Sequence, residues 1–434
     1  MMMKKKLDGG LKNILILFLF FIFSSKISYC SQILDYETEE FVREIIEDII
    51  EVNKINKKIN FKLNNSNEIN AFVDINNIIH INSGLIIHCS DYVALLSVLA
   101  HEIGHIDLNH ITLRKKKIES SKKYSSLGLL TVIAGTTLTN NPQLLQGSFL
   151  TSAALSNQYI VFSKDQEMEA DLYALKTLNL LNTNSKSIEK LLETIEQKLF
   201  EKGFSKDQQR ISTHPYFEDR ISLIKNFKDN KGDNFDKNYN ERFNYIKAKF
   251  IGYSDNDKVL DTLHEPFKTY AESIKKARNG NLKMSLKSLN ELLIKEKNSF
   301  LLETKADILL SHGYTEEAIK FYKLNLEEYP LNYYAQIRIF ENLEIRNFSD
   351  IETEIIFQKN KDLLYRYFNN KNVLLKYIEL VKKLNKKEWL QFFKFILSFN
   401  DIDKEDFKLE IINFKNTKDK DLLKLIKLIE NISK

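Results

Sequence analysis

The segment Leu99-Ala100-His101-Glu102-Ile103-Gly104-His105 decides how the rest of the chain is read. Its apolar surroundings predict a long helix over about 91–116, with Ser90 as the N-cap. On a helix, His101 and His105 stand four residues apart and project from one face. Two ring nitrogens so placed can reach one zinc ion, whose Zn–N bonds are about 2.0–2.1 Å. Glu102 lies beside the first histidine, where a carboxylate can take a proton from water activated by the metal. That pattern predicts hydrolysis of a peptide bond. A purely structural zinc site would have no use for a base at Glu102.

A zinc hydrolase needs a third protein ligand. Working outward, the next acidic helix, expected over about 157–181, carries Glu167-Met168-Glu169-Ala170-Asp171. Glu167 and Asp171 are four apart and share a face. Glu167 is the expected third ligand; Asp171 is expected to accept a hydrogen bond from a ligand histidine and fix its tautomer. Glu169, two residues from each, points elsewhere and reads as solvated. Ala170 leaves room for close helix packing. The competing reading makes all three acids an ordinary charged face. His110, five residues past His105, rotates off the ligand face and reads as a packing or hydrogen-bonding residue.

HEIGH followed by EMEAD resembles the gluzincin metallopeptidases of the HtpX and CAAX prenyl protease type, over about residues 40–225. The resemblance implies an endopeptidase with one Zn2+ per chain. Asn70-Ala71-Phe72 resembles the family's edge strand, which binds substrate by strand addition; the plain alternative is a structural hairpin. Ser212-Thr213-His214-Pro215 and Arg220 also resemble the family. There, His214 would stabilise the transition state or cover the zinc in a resting state, or else be a loop residue held by Pro215. Arg220 would orient the site or pair with a structural acid. The family's Ser-Arg ahead of the ligand helix is Ser163-Lys164 here, which leaves the bidentate role of that arginine unfilled.

The rest of the chain reads as mainly α, with an α+β catalytic domain. Residues 31–60 show helical spacing through Phe41, Ile45, Ile46, Ile49 and Ile50. Residues 69–87 alternate as a β-hairpin about Asp74–Asn77 and end in a turn at Ser83-Gly84. The expected domains are 1–30 (signal peptide), 31–260 (zinc metallopeptidase) and 261–434 (tetratricopeptide-like helical repeats). Gly280 and Gly313 mark two repeats of nearly tetratricopeptide length. Ala318 and Tyr322 are the signature small and large residues of the second; Ser285 and Leu289 replace them in the first. Beyond 335 the helical spacing continues without the signature, and repeats or a plain bundle fit equally.

The formal charge of +5 resides mostly in residues 1–30, where Lys4, Lys5, Lys6, Lys12 and Lys26 face Asp8. The folded remainder has no basic stripe, so no nucleic-acid partner is expected. The apolar run Ile14–Phe23 is too short to span a bilayer and reads as a secretory signal. Cleavage before Ser31 suits Ser28 and Cys30; a second reading lipidates Cys30. Cys89 has no partner after cleavage and reads as a buried apolar residue. Tyr124–Leu138 is apolar enough to touch a membrane or substrate, though a buried helix also fits it. Among its kin, signal plus soluble catalytic domain plus repeats resembles the periplasmic members that assist β-barrel assembly. This implies unfolded or misassembled envelope proteins as substrates, and an outer-membrane assembly complex as the partner of the repeat arm. The competing function is a repeat-based chaperone or adaptor with a latent metal site.

Overall fold

The computed structural model describes residues 32–113, 162–201, 203, 217–227, 235–296, 298–398 and 405–432. The expected signal peptide, the alternative lipid anchor at Cys30, the 124–138 stretch and His214 lie outside the described residues. The chain is mainly helical with one small sheet, as expected. It divides into two compact units: 1–33 with 44–240, and 34–43 with 241–434.

In the first unit, strand β1 (Gln32–Ile33) precedes helix α1 (Tyr36–Asn53), whose Phe41, Ile45, Ile46 and Ile49 are buried as their spacing predicts. Then follow β2 (Asn60–Asn64), β3 (Ala71–Val73) and β4 (Ile78–Asn82), in the sheet order β1-β2-β4-β3. β3 and β4 form the expected antiparallel hairpin, pairing Ala71 with Ile81 and Val73 with Ile79. Its turn is held by Asp74 Oδ1, which accepts from the Asn76 and Ile78 amides at 2.8 and 3.0 Å. Asn77 supplies the positive φ (59°) that closes it. β2 was not foreseen: it pairs in parallel with β4 and buries only Leu63 and Asn64, so its sequence hides a strand among polar residues. Leu63, Ala71, Val73, Ile79 and Ile81 are buried residues of the sheet. Phe72 stacks on its cross-strand partner His80, with ring centroids 4.8 Å apart.

Ser83-Gly84 is not a turn but the start of a short helix, α2 (Ser83–His88). Glycine is required there because a Cβ on Gly84 would meet the Asn67 and Glu68 carbonyl oxygens at 2.5 Å. Helix α3 (Tyr92–Asp107) follows, buried on nearly every side. Its cap is Asp91, not Ser90: Asp91 Oδ1 accepts from the Ala94 amide at 3.0 Å, while Ser90 donates to the same carboxylate at 2.9 Å. It also stops earlier than expected. Lys57 Nζ donates to the Ile106 and Asp107 carbonyls at 3.1 and 3.2 Å, placing a cation at the helix C-terminus. Asn109 (φ 60°) then turns the chain out of the helix. Helix α4 (Lys164–Leu180) opens on a capping box between Ser163 and Gln166. Helix α5 (Lys186–Glu201) packs on α3, and α6 (Phe217–Asn226) packs on α4 and α5.

The second unit begins in α1 and continues with α7 (Lys237–Tyr253), α8 (Asp257–Leu260), α9 (Phe267–Arg278), α10 (Leu282–Lys295), α11 (Ser299–Ser311), α12 (Thr315–Glu328) and α13 (Tyr333–Glu341). Gly280 (φ 81°) and Gly313 (φ 86°) provide the left-handed turns between paired helices. Ser285, Leu289, Ala318 and Tyr322 are all fully buried. Further helices run to Ile432, and their core gathers Trp389, Phe392, Phe393, Phe407 and Tyr377.

An ionic group lies inside this second unit. Lys249 Nζ is 2.7 Å from Asp35 Oδ2 and 2.7 Å from Glu37 Oε2, and both Lys249 and Glu37 are buried. Burial opposes ionisation of Asp35, but Lys249 overrides it and lowers the carboxyl below its usual range. Glu37 has its pKa raised by burial despite the same lysine. Lys249→Met removes the cation between two carboxylates and is expected to lower the unfolding free energy by about 3–5 kcal/mol, read from urea denaturation. Because the folded pKa of Asp35 is depressed, its contribution is present above its ordinary value of 3.8 and is lost as pH falls through the lower folded value. In Asp35→Asn, acid denaturation curves should lose that part of their slope.

Candidate metal centre

Three helices of the first unit build the site. α3 carries His101 and His105; α4 carries Glu167, Glu169 and Asp171; α6 carries Arg220. α3 and α4 approach closely because residue 104 is glycine: a Cβ there would meet Tyr173 Cβ and Cγ at 3.1 Å. Tyr173 then donates to Asp107 Oδ2 at 3.3 Å, fastening the two helices one turn further along. Ala170, fully buried, plays the small-residue part expected of it.

His101, His105 and Glu167 converge as the spacing predicts. The two Nε2 atoms are 3.1 Å apart. Glu167 Oε2 is 3.6 Å from His101 Nε2, and Oε1 is 3.6 Å from His105 Nε2. Among the described residues these three form a buried group able to hold one metal ion. The donor chemistry fits zinc: two imidazoles and a carboxylate are a common catalytic ligand set. Tetrahedral bonds of about 2.0–2.1 Å put ligand atoms about 3.3 Å apart, close to the separations seen.

Each imidazole is held from behind. His101 Nδ1 is 2.8 Å from Asp171 Oδ1, so the acceptor-only carboxylate leaves Nε2 as the lone-pair nitrogen. Arg220 in turn donates to both oxygens of Asp171, from Nε and Nη2, at 2.7 Å each. Its Nη1 stands 3.4 Å from Glu167 Oε2. Arg220 is thus paired with Asp171 and close to Glu167. Burial alone would raise the pKa of Asp171; Arg220 and then His101 hold its carboxyl far below the usual range. Burial works against the charge of Arg220 too, but Asp171 and Glu167 keep it firmly ionised.

His105 is sandwiched differently. Phe162 stacks on it with centroids 3.6 Å apart. Its Nδ1 lies 2.9 Å from His110 Nδ1, and His110 Nε2 lies 3.0 Å from Glu169 Oε2. Two sequence expectations are corrected here. His110 is a hydrogen-bonding residue, as expected, but it turns toward His105 and not away from it, because the helix ends at Asp107 and Asn109 swings the chain back. Glu169 is largely exposed, yet it is not merely solvated, since it receives the His110 hydrogen bond. Burial lowers the His110 pKa, with Glu169 pulling the other way. Phe162 was not foreseen either; its signal would have been an aromatic residue just ahead of the Ser163 cap.

Glu102 is buried in α3 beside His101. Asn70, Ala71 and Phe72 lie on or next to β3, one of the two edge strands of the described sheet, which packs against α3. The Asn70 carbonyl accepts from the Asn82 amide at 3.1 Å. Lys164, standing where the resemblance expects arginine, makes a surface pair with Asp219 at 2.7 Å.

Residues 37–228 match the model of peptidase family M48. The chain is 26% identical over 180 residues to the beta-barrel assembly-enhancing protease of Yersinia pestis, a stretch covering 41% of this chain and 36% of the relative. It is 25% identical over 337 residues to the protein of the same name from Escherichia coli K12, covering 74% of this chain and 66% of the relative. The chain therefore spans about a third to two thirds of the length of these relatives. The resemblance drawn from HEIGH and EMEAD is borne out.

Arg220→Met would leave Asp171 and Glu167 buried without their cation. The metal-free protein is expected to lose about 3–5 kcal/mol of stability, read by chemical denaturation in the presence of a chelator.

Proposed function

We propose, because residues 37–228 belong to peptidase family M48, that this chain is a zinc-dependent endopeptidase acting on unfolded or misassembled proteins of the cell envelope. The observation that carries it is the buried convergence of His101, His105 and Glu167, with Glu102 on the same helix. Zinc held there would supply Lewis acidity, polarising a peptide carbonyl and making water a stronger acid near neutral pH. Glu102 takes the proton from the attacking water at its carboxylate and returns it to the departing amine. Asp171, fixed by Arg220, keeps the His101 lone pair on Nε2. Arg220 also steadies Glu167 through Nη1.

An extended substrate is aligned along β3 through backbone hydrogen bonds, with Asn70, Ala71 and Phe72 in register. Such pairing reads little side-chain identity and suits a protease for unfolded clients. His214 completes the site as a transition-state donor or as a resting-state ligand. The domain scheme stands with this reading: an exported catalytic domain up to about residue 260, followed by a tetratricopeptide-like arm. Paired helices of such arms present partner-binding surfaces. The relatives' name, beta-barrel assembly-enhancing protease, supports a client of the β-barrel class, and the secretory reading of Ile14–Phe23 supports export. No described helix is long and apolar enough to cross a membrane.

Glu102→Gln tests the mechanism. The variant is expected to retain one zinc per chain by elemental analysis, while cleavage of an unfolded β-barrel protein falls by about 10²–10⁴-fold. Undiminished cleavage would remove Glu102 from the chemistry. A chelator should abolish cleavage by the unaltered chain and added zinc should restore it.

A further inference from the structure

We infer that Glu169 and His110 are positioning residues that set the metal-binding tautomer of His105, acting as a second hydrogen-bond chain beside the Asp171–His101 pair. The inference rests on the metallopeptidase reading and deepens it.

The argument is one of proton counting. A carboxylate only accepts, so the 3.0 Å contact between Glu169 Oε2 and His110 Nε2 places a hydrogen on that nitrogen. In the neutral imidazole, His110 Nδ1 is then an acceptor. The 2.9 Å contact between His110 Nδ1 and His105 Nδ1 must therefore be donated by His105. With its proton on Nδ1, His105 presents a lone pair at Nε2, toward His101 Nε2 and Glu167. Reversing the chain would put hydrogen on His105 Nε2 and cost the site a ligand.

The two chains differ in where they end. Asp171 is fully buried and locked by Arg220. The Glu169 side chain is 61% exposed, so the second chain runs from a buried ligand to the surface in two hydrogen bonds. Asn109 makes it possible: an uninterrupted helix would turn His110 away from His105.

The test measures zinc affinity of the full chain by competition with a chromophoric chelator, together with the absorption spectrum of the cobalt-substituted protein. Glu169→Ala is expected to bind zinc about tenfold more weakly, and His110→Phe about 10–100-fold more weakly. Glu169→Gln keeps an oxygen acceptor and should recover affinity to within about threefold of the unaltered chain. Thermal unfolding of the metal-free variants of Glu169 should match that of the unaltered chain. Glu169→Ala binding as tightly as the unaltered chain would overturn the inference alone. Glu169→Gln as weak as Glu169→Ala would assign the effect to charge and overturn the tautomer argument. An unaltered chain that takes up no metal would overturn the metallopeptidase reading, and this inference with it.

Discussion

Everything at this site follows from the difficulty of burying carboxylates. Glu167 and Asp171 have no solvent exposure, and an unpaired buried charge costs several kcal/mol. Arg220 is the counter-ion that makes the arrangement possible, gripping Asp171 with two donors and reaching Glu167 with a third nitrogen. Once that pair is set, α4 and α6 are tied to each other, and Asp171 ties both to His101 on α3. The ligand geometry is thereby a by-product of charge compensation. The site is held by ion pairs and hydrogen bonds of the protein itself.

Much of this was legible because helical periodicity is short-ranged and regular. Four-residue spacing placed His101 with His105 and Glu167 with Asp171, and the structure brings both pairs together. The same reasoning failed wherever the chain left the helix. That His110 makes hydrogen bonds is legible; that its partner is His105 is not, because α3 ends at Asp107 and Asn109 is left-handed. Glu169 reads as solvated for the same reason, since the spacing does not bring His110 to it. β2 was missed for a different reason: its polar residues outnumber its buried ones, and pairing with β4, not pattern, makes it a strand. The cap moved by one residue, from Ser90 to Asp91, since both side chains suit the role and only geometry chooses. The two readings of Arg220 could not be separated from sequence, because its partner is 49 residues away in the chain.

The second unit divides the same way. The turns at Gly280 and Gly313 and the burial of Ala318 and Tyr322 were readable because paired helices call for a turn residue and small and large core residues at regular spacing. Lys249 with Asp35 and Glu37 was not, for ionic groups within a core obey no period. Aromatic packing there is similarly nonlocal: Tyr36 meets Phe300, Tyr329 and Tyr333 at centroid distances of 5.9–6.4 Å.

Helix α1 has a practical meaning for anyone dissecting this molecule. Its opening turns belong with residues 241–434, where Phe41 lies against Phe243, and its later turns belong with residues 44–240. No loop separates the two allegiances; the dividing point falls within continuous helical backbone. A fragment ending at residue 240 would carry Phe41 without Phe243 against it. A fragment beginning at residue 241 would keep Lys249 and lose Asp35 and Glu37. A cut near residue 240 therefore parts α1 from one of its two sets of neighbours, whichever piece keeps the helix.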